Sequence, residues 1–204
     1  MVEAIDTLDL AFVNSFMKHF MMKYFEMITF KKFLKSHKIY LTNKTILDAG
    51  CGSGYGLKLI EESFHPSNLY GFDILPDQVL RAQKRKLKAK ISVGNITNIK
   101  FPSEMFDAVF VFTVLHHIPD YPVALKEISR ILKPGGVLLI DELNKRLIDF
   151  FDKFLGVKHP EESRFGWSEL LRAIDDANLI TLSKKTLFLG FGLFLCQKGK
   201  GLKN

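Results

Sequence analysis

The stretch Ile46-Leu47-Asp48-Ala49-Gly50-Cys51-Gly52-Ser53-Gly54-Tyr55-Gly56 constrains this chain more than any other. An apolar run meets an acid, then glycine at every second position, then the apolar helical pattern Leu57, Leu59, Ile60. Glycine lacks a Cβ, so the main chain can turn tightly and approach a ligand closely. The helix that follows offers unpaired N–H groups and a positive dipole end to a negative group. The pattern reads as a strand–loop–helix nucleotide cradle. It is not the dinucleotide fingerprint, which needs glycines at relative positions one, three and six. Counted from Gly50, Gly52 or Gly54, the sixth position is Tyr55, Leu57 or Leu59.

Around this loop the chain alternates. Strands are predicted near 45–50, 69–73, 91–94, 107–113 and 136–142, and helices near 55–63, 76–88, 121–132 and 168–177. Such alternation implies a parallel sheet with helices on both faces. Asp107 to Leu115 is nearly all apolar, as befits a strand buried on both faces. Pro134-Gly135-Gly136 punctuates the entry to the fifth strand. Two β-rich runs, Leu179 to Phe188 and Phe191 to Gln197, end the pattern. Before it, residues 7–37 read as an amphipathic helix, with Asp6 as cap and Asp9 as a short-armed capping-box acid. Val13, Phe16, Met17, Phe20, Tyr24, Met27 and Ile28 recur at helical spacing, and Lys18, Lys23, Lys31, Lys32, Lys35 and Lys38 supply the polar side. The 204 residues suffice for one well-buried domain. We expect a single unit, with 1–40 as a helical lead or lid and 41–198 as the ligand-binding core.

The Asp-x-Gly-x-Gly-x-Gly pattern at 48–54 resembles motif I of the class I S-adenosylmethionine (SAM)-dependent methyltransferases. A second motif agrees: Leu115-His116-His117-Ile118-Pro119-Asp120, followed by Ala124 through Leu132-Lys133-Pro134-Gly135-Gly136. It is similar to the methyltransferase type 11 subgroup that includes quinone-biosynthesis enzymes. The resemblance implies a three-layer, Rossmann-like α/β sandwich. Its mostly parallel seven-stranded sheet would end in an antiparallel hairpin, with the N-terminal helix as a lid. It also implies SAM as cofactor and S-adenosylhomocysteine as product. Gly50, Gly52 and Gly54 would then bring main chain to the methionine portion, with Cys51 between them. Asp48 would order the loop or act through water on the ammonium group. Asp73, about 20 residues past the loop, can accept from both ribose hydroxyls, or cap the helix at Pro76. Ile74 follows it. Asn95 stands where the family usually has aspartate; its carbonyl oxygen can still accept from the adenine amine, or it is a turn residue. Ile96 would pack on the adenine, and the backbone of Phe112 and Thr113 would line the cofactor.

A sulfonium methyl is already activated, so the protein's main task is to align an acceptor behind it. His116 and His117 fall near the expected methyl position. One of them could take a proton, since histidine titrates near neutrality. No metal site is expected, because His-His-x-x-Asp lacks the spacing and extra ligands of a zinc site. Asp141 and Glu142, ending the fifth strand, could bind a cationic acceptor or simply be its polar end.

Three acceptor classes compete. The Phe- and Met-rich lead helix and the aromatic stretch Leu147 to Trp167 suit a lidded pocket for a small apolar or amphipathic molecule. Arg81, Lys84, Arg85, Lys86, Lys88 and Lys90, with a net charge of +7, permit RNA. The lead helix could also lie on a membrane surface. A non-catalytic SAM-binding regulator is a further reading. An aminopropyltransferase is disfavoured, for want of that family's acidic polyamine motifs. Two cysteines, one inside the glycine loop, do not make a disulfide framework, and a reducing, cytoplasmic setting is expected. Glu3, Asp6 and Asp9 replace the basic start of a secretory signal, and apolar runs fall short of the ~20 residues of a membrane span.

Overall fold

A computed structural model describes residues 16–155, 159–187 and 190–199. Seven strands form one sheet: β1 (Thr45–Ala49), β2 (Asn68–Asp73), β3 (Ala89–Val93), β4 (Phe106–Phe112), β5 (Leu132–Leu143), β6 (Leu179–Thr186) and β7 (Phe191–Lys198). Their order is β3-β2-β1-β4-β5-β7-β6. β1 pairs in parallel with β2 and β4, and β4 in parallel with β5. β7 runs antiparallel to both β5 and β6, so the expected closing hairpin is present. The strand order reverses between β1 and β4, where open α/β sheets bind ligands at the strands' carboxyl ends.

Side chains alternate across each strand, and both faces are covered. Leu47, Val109, Val111, Leu138 and Ile140 face one layer, built from α4 (Tyr121–Ile131) and α6 (Trp167–Asp176). Ala124, Leu125, Ile128 and Ile131 fall on one side of α4, and Leu170, Ala173 and Ile174 on one side of α6. Ile46, Ala108, Phe110, Leu139, Leu193 and Leu195 face the other layer. There α2 (Tyr55–Phe64) contributes Leu57, Ile60 and Phe64, one helical face. The short α3 (Pro76–Gln83) packs near the β2–β3 edge, and α5 (Lys145–Leu155) follows β5.

The lead helix belongs to this second layer. It runs Phe16–Met21, passes through a π-helical turn at Met22–Glu26, and continues as Met27–Ser36; together these are α1. Phe30 is fully buried, with its ring 6.1 Å from Phe110 and 6.2 Å from Phe112. Burying a phenylalanine contributes roughly 1.5–3 kcal/mol, so this half of α1 is held against the sheet. The expected cap at Asp6 and residues 7–15 lie outside the described residues.

Three other boundaries differ from the sequence reading. The helix from Pro76 stops at Gln83, not 88: Lys86 takes a left-handed φ of 56°, and continuing the helix would stack Lys84, Arg85, Lys86 and Lys88 along it. α5 appears inside the stretch read only as aromatic cover, anchored by fully buried Ile148. β5 begins at Leu132, because Leu132 pairs with Phe106 before the register shifts and resumes at Val137 with Ala108. No described helix is long and apolar enough to cross a membrane.

Candidate active site

The glycine loop leaves β1 and is pinned by main chain to β2. The N–H groups of Gly50 and Cys51 both donate to the Phe72 carbonyl at 2.9 Å, and Gly54 N–H donates to the Cys51 carbonyl at 2.9 Å. Gly50 has φ 80°, and a Cβ there would lie 2.6 Å from Val114 Cγ2. Gly52, at φ 50°, has no atom within 4 Å of a Cβ position. Its open side faces a cavity of about 520 Å³. Gly54 lies outside that lining; a Cβ there would stand 2.9 Å from Ala82, so it seats the start of α2 against α3.

Of the sequence-predicted residues, Gly50, Gly52, Asp73, Ile74, Asn95, Ile96, Phe112, Thr113 and His117 line this one cavity. A recess of about 40 Å³ adjoins it, sharing Gly50, Gly52, Phe112 and Thr113, and adds Asp48, Cys51 and Tyr55. α1 reaches the recess through His19 and Met22, and the His19 ring stacks on Tyr55 at 3.9 Å. No local motif marks His19, because its role comes from where α1 lies on the sheet.

Asp73 ends β2 and accepts two backbone bonds, from Gly52 N–H at 2.8 Å and Leu75 N–H at 3.0 Å. Burial raises its pKa, and these N–H bonds oppose the rise. Each carboxylate oxygen can accept more than one bond, so ribose hydroxyls can still be taken. The Leu75 contact also orders the entry to α3, so the ribose-acid and helix-entry readings are compatible in geometry.

Asp48 is almost fully buried, and neither carboxylate oxygen has a hydrogen-bond partner among the described residues. Burial, then the negative charges of Asp73 and Asp141, push its pKa well above the carboxyl range. A lone buried carboxylate is costly unless a positive or donor group meets it. Burial likewise pushes the Cys51 thiol up, far from reactivity.

Asn95 is committed locally. Its Oδ1 accepts from Thr97 N–H and Thr97 Oγ1, both at 2.9 Å, an Asx turn. An adenine amine would have to share that oxygen.

Past β4, Thr113 adopts φ 57°, rare for a β-branched residue. Thr113 N–H donates to the Asp141 carbonyl at 3.0 Å, and Oγ1 to Asp141 Oδ2 at 3.2 Å. His116 and His117 follow in a 3₁₀ turn, Leu115–His117. They part company: His117 lines the cavity, whereas His116 is buried behind it. Glu142 Oε1 accepts from Leu115 N–H at 2.7 Å. Glu142 Oε2 bonds His116 Nδ1 at 2.7 Å and accepts from Leu143 N–H at 3.0 Å. Burial, foremost, pushes Glu142 up to about 8. Asp141 and Glu142 are fully buried and absent from the cavity lining, so they anchor the loop and do not face an acceptor.

The far wall includes Ile118, Pro119 and Asp120, together with Pro160 and Glu162 from the segment after α5. Ser163 Oγ donates to the His116 carbonyl at 2.5 Å, which docks that segment on the histidine turn. Pro160 and Glu162 fall inside the stretch read as cover, but no spacing rule singles them out.

Residues 47–140 match the methyltransferase domain family. The chain is 35% identical over 105 residues to 2-methyl-6-phytyl-1,4-hydroquinone methyltransferase of a Synechocystis species, covering 50% of this chain and 33% of that one. It is 35% identical over 115 residues to the demethylmenaquinone methyltransferase of a Geobacillus species, covering 52% and 49%. Each match thus spans at most about half of the relative's length. In three dimensions it superimposes on a SAM-dependent methyltransferase from Aquifex aeolicus with a TM-score of 0.74. That superposition covers 95% of this chain and 99% of the other at 16% identity, a likeness of fold. The match to the methyltransferase domain family thus falls on the part of the chain that runs from β1 into β5.

Proposed function

We propose that the protein transfers a methyl group from SAM to a small apolar or amphipathic acceptor. The observation that carries this is the continuity of the cavity. It joins the glycine loop and Asp73 at one end to Ile118, His117 and Glu162 at the other. Its volume, about 520 Å³, falls in the range of roughly 300–1,000 Å³ usual for small-molecule sites.

The residues fit the cofactor. Gly52 leaves open space beside the main chain, and Asp48 presents two unpartnered oxygens where a cationic group can meet them. Asp73 accepts ribose hydroxyls. Phe72, Ile74 and Ile96 form an apolar slot for a planar base, and Asn95 sits at its rim. Bound SAM supplies a methyl group already activated by its sulfonium. The protein then aligns the acceptor and excludes water. Phe112, Val114 and Ile118 give the wall an apolar character suited to a hydrocarbon or ring. His117 can hydrogen-bond an acceptor hydroxyl and take its proton when attack requires it. The named relatives act on phytyl hydroquinone and demethylmenaquinone, acceptors of this amphipathic type.

RNA is less well supported. Arg85 donates to the Ser53 carbonyl at 2.5 Å, and Lys90 sits 5.4 Å from the Tyr70 ring centroid, so part of the basic cluster serves the fold. Two buried, unpaired cysteines suit a reducing compartment, as the cytoplasmic reading proposes. We also treat residues 1–204 as one functional unit, since Met27–Ser36 packs into the sheet layer.

The test is methyl transfer from labelled SAM into a cell extract separated into lipid, RNA, protein and small-molecule pools. Label in the lipid or small-molecule pool, absent with Asp73→Ala, is the expected result. Label in RNA overturns the acceptor class. SAM binding with no label in any pool favours a non-catalytic regulator.

A further inference from the structure

We propose that His116, His117 and His159 form a binding site for a first-row divalent transition-metal ion of the zinc type, set in the wall of the acceptor end of the cavity. The inference goes beyond methyl transfer and does not depend on it. His116 and His117 come from the turn after β4, and His159 from the segment after α5, so the third ligand is 42 residues away in sequence. One nitrogen of each ring lies within 4.8 Å of one nitrogen of the other two. The rings face one another, with centroids 4.0 Å (116–117), 5.3 Å (116–159) and 5.2 Å (117–159) apart. Tetrahedral zinc with N ligands at about 2.0–2.1 Å needs nitrogens roughly 3.3 Å apart, a closure within reach of small χ rotations.

The second, independent observation is what stands behind the rings. His116 Nδ1 bonds Glu142 Oε2 at 2.7 Å, and His159 Nδ1 bonds Asp152 Oδ1 at 2.5 Å. With both acids ionised, each carboxylate would take the Nδ1 proton, and Nε2 of each ring would be the ligating atom. Metal-bound histidine almost always has this arrangement, because the carboxylate fixes the tautomer and raises the basicity of the ligand. The carboxylates are themselves held. Arg164 Nη2 donates to Asp152 Oδ2 at 2.7 Å and to the His159 carbonyl at 3.1 Å. Backbone N–H groups of Leu115 and Leu143 hold Glu142. Imidazole ligands suit zinc, copper, iron or nickel rather than magnesium or calcium. His116 and His159 are buried, while His117 opens on the cavity. Three protein ligands and one position open to a cavity are the pattern of a reactive zinc site, not a closed structural one. A bound ion takes the lone pair that a proton-accepting role of His117 needs, so the two roles exclude one another.

The experiment titrates the full chain, stripped by chelator, with Co²⁺ followed by visible absorption, then with Zn²⁺ against a chromophoric chelator. The expected result is one equivalent, with the strong visible bands of four-coordinate Co²⁺. Affinity should fall at least tenfold in both His159→Ala and His159→Gln. SAM affinity of both variants, and thermal unfolding of His159→Gln, whose amide can still donate to Asp152, should stay near wild type, which separates loss of a ligand from loss of the fold. No saturable binding near one equivalent overturns the proposal, as does undiminished binding in both variants. SAM binding in the metal-stripped protein reports on the methyltransferase reading separately.

Discussion

At its Gly50–Gly52 end the cavity is built on glycine main chain beside Asp73, whereas at its Val114–Glu162 end it is walled by side chains from two separate segments. The first end is held by short-range backbone bonds: Gly50 and Cys51 to Phe72, and Gly52 to Asp73. The second is held by buried acids. Glu142 gathers Leu115, His116 and Leu143, Asp152 and Arg164 hold His159, and Ser163 ties one segment to the other. A backbone-built end tolerates few shapes and suits one ligand. A side-chain-built end can change its contents while the sheet below stays fixed, which suits an acceptor that differs among enzymes of one fold.

The comparison breaks most sharply at Glu142. Glu142→Ala strips a buried acceptor from two N–H groups and from His116, and each orphaned buried group costs about 1–3 kcal/mol. Stability in urea should fall by about 3 kcal/mol or more. SAM affinity, measured well below the denaturation midpoint, should fall much less, because the damage lies at the other end. Equal loss at both ends would mean that the cavity is one cooperative unit. Asp73→Ala is the converse probe. SAM affinity by calorimetry should drop at least tenfold, about 1.4 kcal/mol, with a smaller effect on stability. An unchanged affinity would displace the ribose from Asp73.

The same contrast explains what could be read from the chain. The glycine loop, Asp73 and the apolar run of β4 are contiguous signals, and the sheet's strand positions followed from alternation. The roles of His159, Glu162 and Glu142 were not legible. His159 reaches His116 only because α5 turns the chain back over the sheet, and α5 was hidden in a stretch whose phenylalanines read as cover. Phe150 and Phe154 are indeed exposed, 50% and 63%, while Ile148 anchors the helix. The lead helix was legible as a helix, but its burial against Phe110 and Phe112 depends on tertiary packing that periodicity does not report.

A pH titration sharpens the comparison at the cofactor end. Burial, then Asp73 and Asp141, holds Asp48 protonated above the ordinary carboxyl range. The folded protein therefore binds a proton that the unfolded chain releases, and stability contributed at this site is lost as pH rises from about 4 through the raised pKa. Cationic SAM favours the ionised acid, so binding should release a proton. SAM affinity should rise with pH above the ordinary carboxyl range and below the titration of SAM's own amine. Calorimetry in buffers of different ionisation enthalpy checks this, and Asp48→Asn should flatten the dependence. A flat wild-type profile would place the cation elsewhere.

The smallest expected effect is at Asn95, a cofactor-end residue whose side-chain oxygen is already spent on a local turn. Both of its Oδ1 bonds go to Thr97, and the residue is exposed, so an adenine amine would meet a shared oxygen without charge behind it. Asn95→Ala should weaken SAM binding by less than about threefold, roughly 0.6 kcal/mol. Asn95→Asp, which restores the charge while keeping the turn, should tighten it by a similar factor. Calorimetric affinities of the two variants check both signs. A tenfold loss in Asn95→Ala would mean that the Asx turn opens when the base arrives, and that a second side chain at this end, beside Asp73, recognises the ligand.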